Sequence, residues 1–299
     1  MYQLQRPSPI ELSLNQLLDC RLIHFKAMLK KELTLSQQAG HILSRYRGSG
    51  MEFDEVRQYQ PGDDIRHIDW RVTARTGKAH SKIFREERDR PVVIAIDLNA
   101  SMFFGSENKV KAMMACELAS IIGWSTIDKH QRTGLQLLGQ QPQYTDLVHT
   151  RSNWLVLLQQ ICQRYQNQLS HLASIELKVH DLQESLMHLP TGASVHIISD
   201  FYHYQEADLS CLQQGMKRHL LTLWQITDPL EFELPENQFE SLSVTQHQKR
   251  GLLPLQQKSF VQKYRQLAAQ RQDNLSQIFS KYRLTSHHLS TAKEWHEYF

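Results

Sequence analysis

With 299 residues and a formal net charge of +3, the chain is long enough to bury a sizeable core and sits near the length at which single cores begin to split. So small a charge makes no case for a whole-molecule binder of nucleic acid or anionic membrane. No apolar run approaches the ~18 residues of a membrane span, and the N-terminus lacks the basic-then-apolar pattern of a signal peptide.

The four cysteines, Cys20, Cys116, Cys162 and Cys211, are scattered without metal-ligand spacing, and two of them fall inside apolar helical patterns. Reduced, packed thiols and a cytoplasmic location are therefore expected.

Residues 8–47 read as helical: Leu14, Leu17, Leu18, Leu22 and Phe25 follow helical spacing, and the pattern stops at Gly48-Ser-Gly50. An alternating, strand-like run carries Met51, Phe53, Arg57 and Tyr59. It ends at Gln60-Pro-Gly-Asp63, where Pro61 and Gly62 suit the centre of a tight turn. Asp63 or Asp64 can cap a helical turn through Ile65 and Ile68, and a polar loop from Thr73 to Lys78 then leads into an extended segment, His80 to Arg88.

The strongest strand is Val92–Ile96, a β-branched run that follows a proline and ends abruptly in Asp97. Such a run suits a strand buried on both faces of a parallel sheet. The best amphipathic helix follows, with Val110, Met113, Met114, Leu118, Ile121 and Ile122 as its stripe and Ser106 as its cap. Leu135–Leu138 and Tyr144–Val148 flank a turn and predict an antiparallel hairpin. Trp154, Leu157, Leu158, Ile161, Cys162 and Tyr165 mark a second helix, and Asp181 with Glu184 a capped short one. Ser194–Ser199 is a second buried strand, again ending in an acid, Asp200, and Leu220–Ile226 a third, running into Asp228. Residues 230–256 look irregular, with possible short strands. A long helix from about Ser259 and a last strand over Leu284–Leu289 complete the chain.

Strands alternating with helices predict a doubly wound, mainly parallel α/β sheet with helices on both faces, preceded by a helical and extended N-terminal region. The domain division is expected at residues 1–90 and 91–299. In such sheets ligands bind beyond the carboxyl ends of the strands, where the winding direction reverses. Asp97, Asp200 and Asp228 each sit at such an end.

Two stretches resemble a known family. Asp97-Leu-Asn-Ala-Ser101 looks like a variant of the D-x-S-x-S loop of von Willebrand factor type A domains. Tyr59-Gln-Pro-Gly-Asp-Asp-Ile-Arg-His-Ile-Asp-Trp70, followed by Ala74-Arg-Thr-Gly77, resembles the signature of the bacterial "DUF fifty-eight" proteins. The flanking Arg45-Tyr-Arg47, Gly50-Met-Glu-Phe53 and Phe84-Arg-Glu-Glu-Arg88 fit the same pattern, so the resemblance runs from about residue 40 to 230. It implies a type A-like domain behind a signature region. It also implies a role beside MoxR-type AAA+ ATPases, as adaptor or chaperone-like assembly factor with an unknown client.

The type A resemblance also implies a metal-ion-dependent adhesion site. Asp97 and Ser101 match its first loop, but Asn99 stands in place of the first serine. Asp200 matches the third loop, and His180 falls where a threonine is expected. Mg²⁺ wants oxygen ligands and keeps several waters, so Asn99 can still serve through its carbonyl, whereas the nitrogen of His180 suits Mn²⁺ or Zn²⁺ better. A degenerate site that binds Mg²⁺ or Mn²⁺ weakly or not at all is expected. Asp97, Ser101 and Asp200 can equally bond loop amides or a basic neighbour.

In the signature region Asp63, Asp64 and Asp69 lie among Arg57, Arg66, Arg71 and Arg75. The pattern fits Asp–Arg pairs and caps that fix this region against the main sheet, with Tyr59, Pro61 and Gly62 shaping the turn and Trp70 anchored in the core. His67, His80 and His196 show no ligand spacing.

Three functions compete. The first is a non-enzymatic adaptor, supported by the absence of a nucleophile–base pair. The second is a Mg²⁺-dependent hydrolase or phosphotransferase using Asp97 and Asp200. Haloacid dehalogenase-like enzymes, however, need a second Asp two residues on, where this chain has Asn99. The third is nucleic-acid binding by the signature region, whose basic residues are nearly matched by acids.

Overall fold

The computed structural model describes residues 8–23, 51–60, 63–86, 90–139, 141–172, 182–235, 241–246 and 249–298. It divides into two compact units, residues 37–89 and the remainder.

The larger unit is a mixed α/β fold on a six-stranded sheet. Strand β3 (Val92–Asp97) pairs with β4 (Thr133–Leu138) on one side and β6 (Ser194–Ser199) on the other. β7 (Leu220–Thr227) and β10 (Thr285–Ser290) extend the sheet beyond β6, while the short β5 (Gln143–Tyr144) closes the other edge. All the pairings are parallel except β4–β5, which forms the expected hairpin.

β3 shows why the chain folds this way. Successive side chains of a strand point to opposite faces, and here Val92, Ile94 and Ile96 enter one apolar cluster while Val93 and Ala95 enter another. The first cluster is filled by α3 (Lys111–Asp128) and α4 (Arg151–Ser170), and the second by α5 (Leu182–Met187), α6 (Glu206–Gly215) and α7 (Lys258–Lys281). Both faces are therefore covered, which is what a run of apolar residues without alternation demands.

Helix α3 departs from expectation in two ways. It is buried on nearly every side rather than along one stripe, including Lys111, Glu117, Ser120 and Thr126. Its N-cap is Val110, not Ser106; the Ser106 hydroxyl and amide are both taken by Asp228, at 2.5 and 2.8 Å. The far side of α3 is covered by α1 (Leu14–Asp19) and the 3₁₀ turn Cys20–Leu22. The predicted long N-terminal helix is thus much shorter in its described part. A Ser13–Gln16 capping box starts it, and near its end the Leu17 carbonyl accepts from the Ser120 hydroxyl (2.6 Å) and the Trp124 indole (3.1 Å) of α3. Phe25 and the residues up to 50 lie outside the described ones. Leu12, Leu17 and Cys20 belong to the main core.

The possible short strands of residues 230–256 are present as an antiparallel hairpin of β8 (Ser241–Gln246) and β9 (Lys249–Pro254). Among the described residues no helix is long and apolar enough to cross a membrane.

The smaller unit is a hairpin of β1 (Met51–Gln58) and β2 (His80–Glu86), with a register shift between Phe53 and Glu55. Between the strands lie the 3₁₀ turn Ile65–His67 and helix α2 (Trp70–Thr76). That helix replaces the polar loop expected over Thr73–Lys78. Asp69 caps it through the amides of Arg71 and Val72, and Gly77, at φ 69°, ends it. It escaped pattern reading because it has no apolar face to bury. Trp70 is accordingly 68% exposed, correcting its expected place in the core.

Candidate functional site

The sheet order reverses direction between β3 and β6: the chain moves from β3 toward β4 and β5 on one side, and from β6 toward β7 and β10 on the other. The loops after β3 and β6 therefore flank the crevice where doubly wound sheets place ligands. They carry Asp97, Asn99 and Ser101 on one side, and Ser199 and Asp200 on the other. His180 lies outside the described residues.

Asp97 is buried, and both its oxygens are engaged. One accepts the Asn99 amide at 2.9 Å and the other the Ser199 hydroxyl at 2.6 Å. Burial, and secondarily the neighbouring Asp200 charge, push its pKa up to about 6 despite those bonds. Asp200 faces the opposite balance. Burial would raise it, but the Lys111 ammonium, 2.7 Å from its Oδ2, holds it below the usual carboxylate range, helped by the Tyr202 amide at 2.9 Å. The Ser101 hydroxyl lies close enough to favour the charged form of Asp200 but makes no hydrogen bond of ordinary geometry.

Lys111 is the residue that sequence reasoning missed. It is 1% exposed and reaches Glu231 Oε1 at 2.5 Å as well as Asp200. Burial opposes its charge, yet the two carboxylates overcome that and raise its pKa. A cation at the first turn of a helix also runs against the macrodipole, so the acids are what hold it there. Asp228, the third acid, is an anchor: it accepts from Ser106, Leu230 and Thr291, tying three loops together at the sheet's end.

Asp97 makes stability depend on pH. Its folded-state pKa is raised, so the folded protein keeps a proton that the unfolded chain loses near pH 4. Its contribution is greatest near and below that pH and is lost as pH rises through about 6. A shift of this size is worth about 3 kcal/mol. Asp200 acts in the opposite sense, its contribution being lost as the solution becomes strongly acid. Asp97→Asn is expected to flatten the loss of urea resistance between about pH 4 and 6. An unchanged slope in that variant would mean that Asp97 is already charged throughout.

As the charges stand, these residues do not fit a divalent cation. Asn99 Oδ1 and Ser101 Oγ are buried oxygens without a hydrogen-bond partner, which suits a hard ion. But both Asp97 oxygens are bonded internally and Asp200 is neutralised by an ammonium. Among the described residues no three His, Cys, Asp or Glu side chains converge as ligands.

In the smaller unit, Asp63 pairs with Arg57 at 2.7 Å, and Asp64 holds Arg66 through both carboxylate oxygens while accepting its amide. These pairs lie inside the unit. Tyr59 donates its amide to the Ala79 carbonyl at 2.8 Å, and the Asp63 amide closes a turn onto Gln60 at 3.0 Å. Arg75 is exposed, and Pro61 and Gly62 lie outside the described residues. Of the histidines, His196 is a core residue that accepts from the Trp224 indole at 3.1 Å.

A six-stranded, mostly parallel α/β domain with its acids gathered at one sheet edge, joined to a hairpin unit bearing the Tyr59–Trp70 signature, defines the class. The chain belongs to the family described as "Protein of unknown function DUF58", which it matches over residues 55–274. It is 37% identical over 101 residues to uncharacterized proteins of Mycobacterium bovis and Mycobacterium tuberculosis, an alignment covering 32% of this chain and 32% of each of theirs. Among solved structures it is similar to the conserved hypothetical protein BatB of Bacteroides thetaiotaomicron (13% identity, TM-score 0.39, 65% of this chain and 98% of that one). It is also similar to an aerotolerance-related membrane protein of Bacteroides fragilis (11% identity, TM-score 0.39, 64% and 99%). Likeness at that level carries nothing over to this chain.

Proposed function

We propose that this protein is a non-enzymatic interaction module with a von Willebrand factor type A-like main domain. It acts in the cytoplasm as an adaptor for a MoxR-type AAA+ ATPase in protein assembly or chaperone-like remodelling. The partner class rests on the family resemblance of the signature and the loop after β3. The docking surface is the carboxyl edge of the sheet, a degenerate adhesion site that binds Mg²⁺ or Mn²⁺ weakly or not at all.

One observation carries the choice of surface. The acids of this edge are turned inward and satisfied, while Phe104 and Tyr202, on the same two loops, are 38% and 47% exposed. Tyr202 is held under the Arg271 guanidinium, 3.6 Å from its ring centroid. Exposed, positioned aromatics beside an arginine are the usual anchors of protein interfaces. The hydrolase alternative has less support, since Asp97 is 2% exposed with both oxygens bonded, leaving a substrate no nucleophile. The nucleic-acid alternative is weakened by the Arg57–Asp63 and Arg66–Asp64 pairs.

Co-purification with a MoxR-type ATPase is expected for the wild type. Phe104→Ala and Tyr202→Ala should each weaken binding about thirtyfold, the effect of an interface anchor worth about 2 kcal/mol. Val156→Ala, an exposed site on α4, should not. Equal binding by all four proteins would remove this surface from the proposal.

A further inference from the structure

We infer that the Lys111 ammonium is a built-in replacement for a divalent cation: it bridges Asp200 and Glu231 at the carboxyl ends of β6 and β7, so that this edge is assembled without metal. The inference takes from the proposed function only that this edge is the working one. Its test reads metal rather than partner, so the two fail separately.

The argument is one of charge in a confined space. Asp200 and Glu231 come from different strand ends, those of β6 and β7, and both reach the same nitrogen, at 2.7 and 2.5 Å. Lys111 and Asp200 are 1% and 2% exposed, so water does little to screen them. Two carboxylates this close cannot both stay ionised in a buried site unless a cation lies between them. Here the protein supplies that cation from the first residue of α3. A metal arriving at Asp200 would meet a fixed positive charge and would have to displace it.

Around the same loops lie oxygens that the fold leaves unused. Asn99 Oδ1 and Ser101 Oγ have no hydrogen-bond partner among the described residues, and Ser101 sits beside Asp200. These are hard donors of the kind Mg²⁺, Mn²⁺ and Ca²⁺ prefer. The site thus holds oxygen ligands, but one of its two closely placed acid charges is already offset by the ammonium, which weakens the attraction for a metal. Removing the lysine charge should restore that attraction.

The experiment compares wild type, Lys111→Ser, Asp200→Asn, and the double variant Lys111→Ser with Asp200→Asn, each in chelator and in millimolar Mn²⁺ or Ca²⁺. Thermal midpoints, far-ultraviolet circular dichroism and calorimetric titration with the metal alone are recorded. Wild type should show the same midpoint in both conditions and no micromolar binding. Lys111→Ser should be destabilised in chelator and regain stability with metal. If it is unfolded in chelator, recovery of its dichroism on adding metal is the same positive result. The double variant should show no metal response. Micromolar binding by wild type that Asp200→Asn abolishes would overturn the inference, and so would a Lys111→Ser protein that gains nothing from either ion.

Discussion

Lys109→Met is expected to cost the protein about 3–5 kcal/mol, the loss typical of a buried ion pair stripped of one partner. Lys109 and Glu117 are both fully buried, with Nζ 2.9 Å from Oε2. The same Glu117 oxygen accepts the Trp295 indole N–H at 2.8 Å, and the Lys109 ammonium lies 4.9 Å from the Trp295 ring centroid. Removing the ammonium would strand a carboxylate among the apolar residues of α3. Most of the cost is that stranded charge, not the worth of the pair itself. Adding Glu117→Gln to Lys109→Met should therefore recover much of the loss, because the amide oxygen can still accept from Trp295. Urea midpoints of the wild type, the single variant and the double variant measure this directly. A single-variant cost below about 1 kcal/mol, the value of an exposed pair, would mean that water reaches the site.

This pair and the Lys111 cluster were the least legible parts of the chain. Val92–Ile96 announced itself because a strand buried on both faces must be apolar throughout, and Asp97 and Asp200 because an acid ending such a strand is conspicuous. The buried strands β6 and β7, the β4–β5 hairpin and the α4 stripe were readable for a similar reason: each shows in a local apolar run, a turn or a periodicity. Lysines are different. A lysine at the start of a helix usually lies in water, and nothing in Lys109-Val-Lys111 says that both side chains turn inward. The usable signal was Glu117, an acid inside Ala112–Ile122, a stretch with no other charged residue. A charge there requires a buried counter-charge nearby.

The remaining misjudgements have a common cause. Ser106 had the right chemistry for a cap, but Asp228, 122 residues away, binds it first. Trp70 had the size of a core residue, but a seven-residue helix on a two-stranded hairpin offers too little surface to cover it. Local propensity was correct about residue type in each case, and distant partners decided the outcome. The carboxyl edge is the clearest instance. Asp97 and Asp200 do stand at the ends of their strands, as the pattern predicts, whereas the charge balance there depends on Lys111 and Glu231, which belong to no motif.

Gly123→Ala should be among the most damaging small substitutions in the chain. A methyl group built on Gly123 would lie 1.9 Å from Trp154 Cζ2 and 2.3 Å from Cη2, far inside van der Waals contact. Gly123 sits within α3, where glycine is intrinsically about 1 kcal/mol worse than alanine, so its presence is a packing requirement rather than a backbone one. Trp154 is completely buried at the start of α4 and the α3–α4 contact closes over it, so the indole cannot swing into solvent without opening the core. The overpacking cost is put at about 1–3 kcal/mol or more, net of the helix gain. Trp154→Ala alone should cost about 3–5 kcal/mol through the cavity it leaves. The two losses should not add. Gly123→Ala combined with Trp154→Ala gives the new methyl room, so the double variant should be more stable than the sum of its singles predicts. Chemical denaturation of the four proteins yields that coupling energy. A value near zero would show that the helices separate to admit the methyl, and that Gly123 is not what lets α3 and α4 approach.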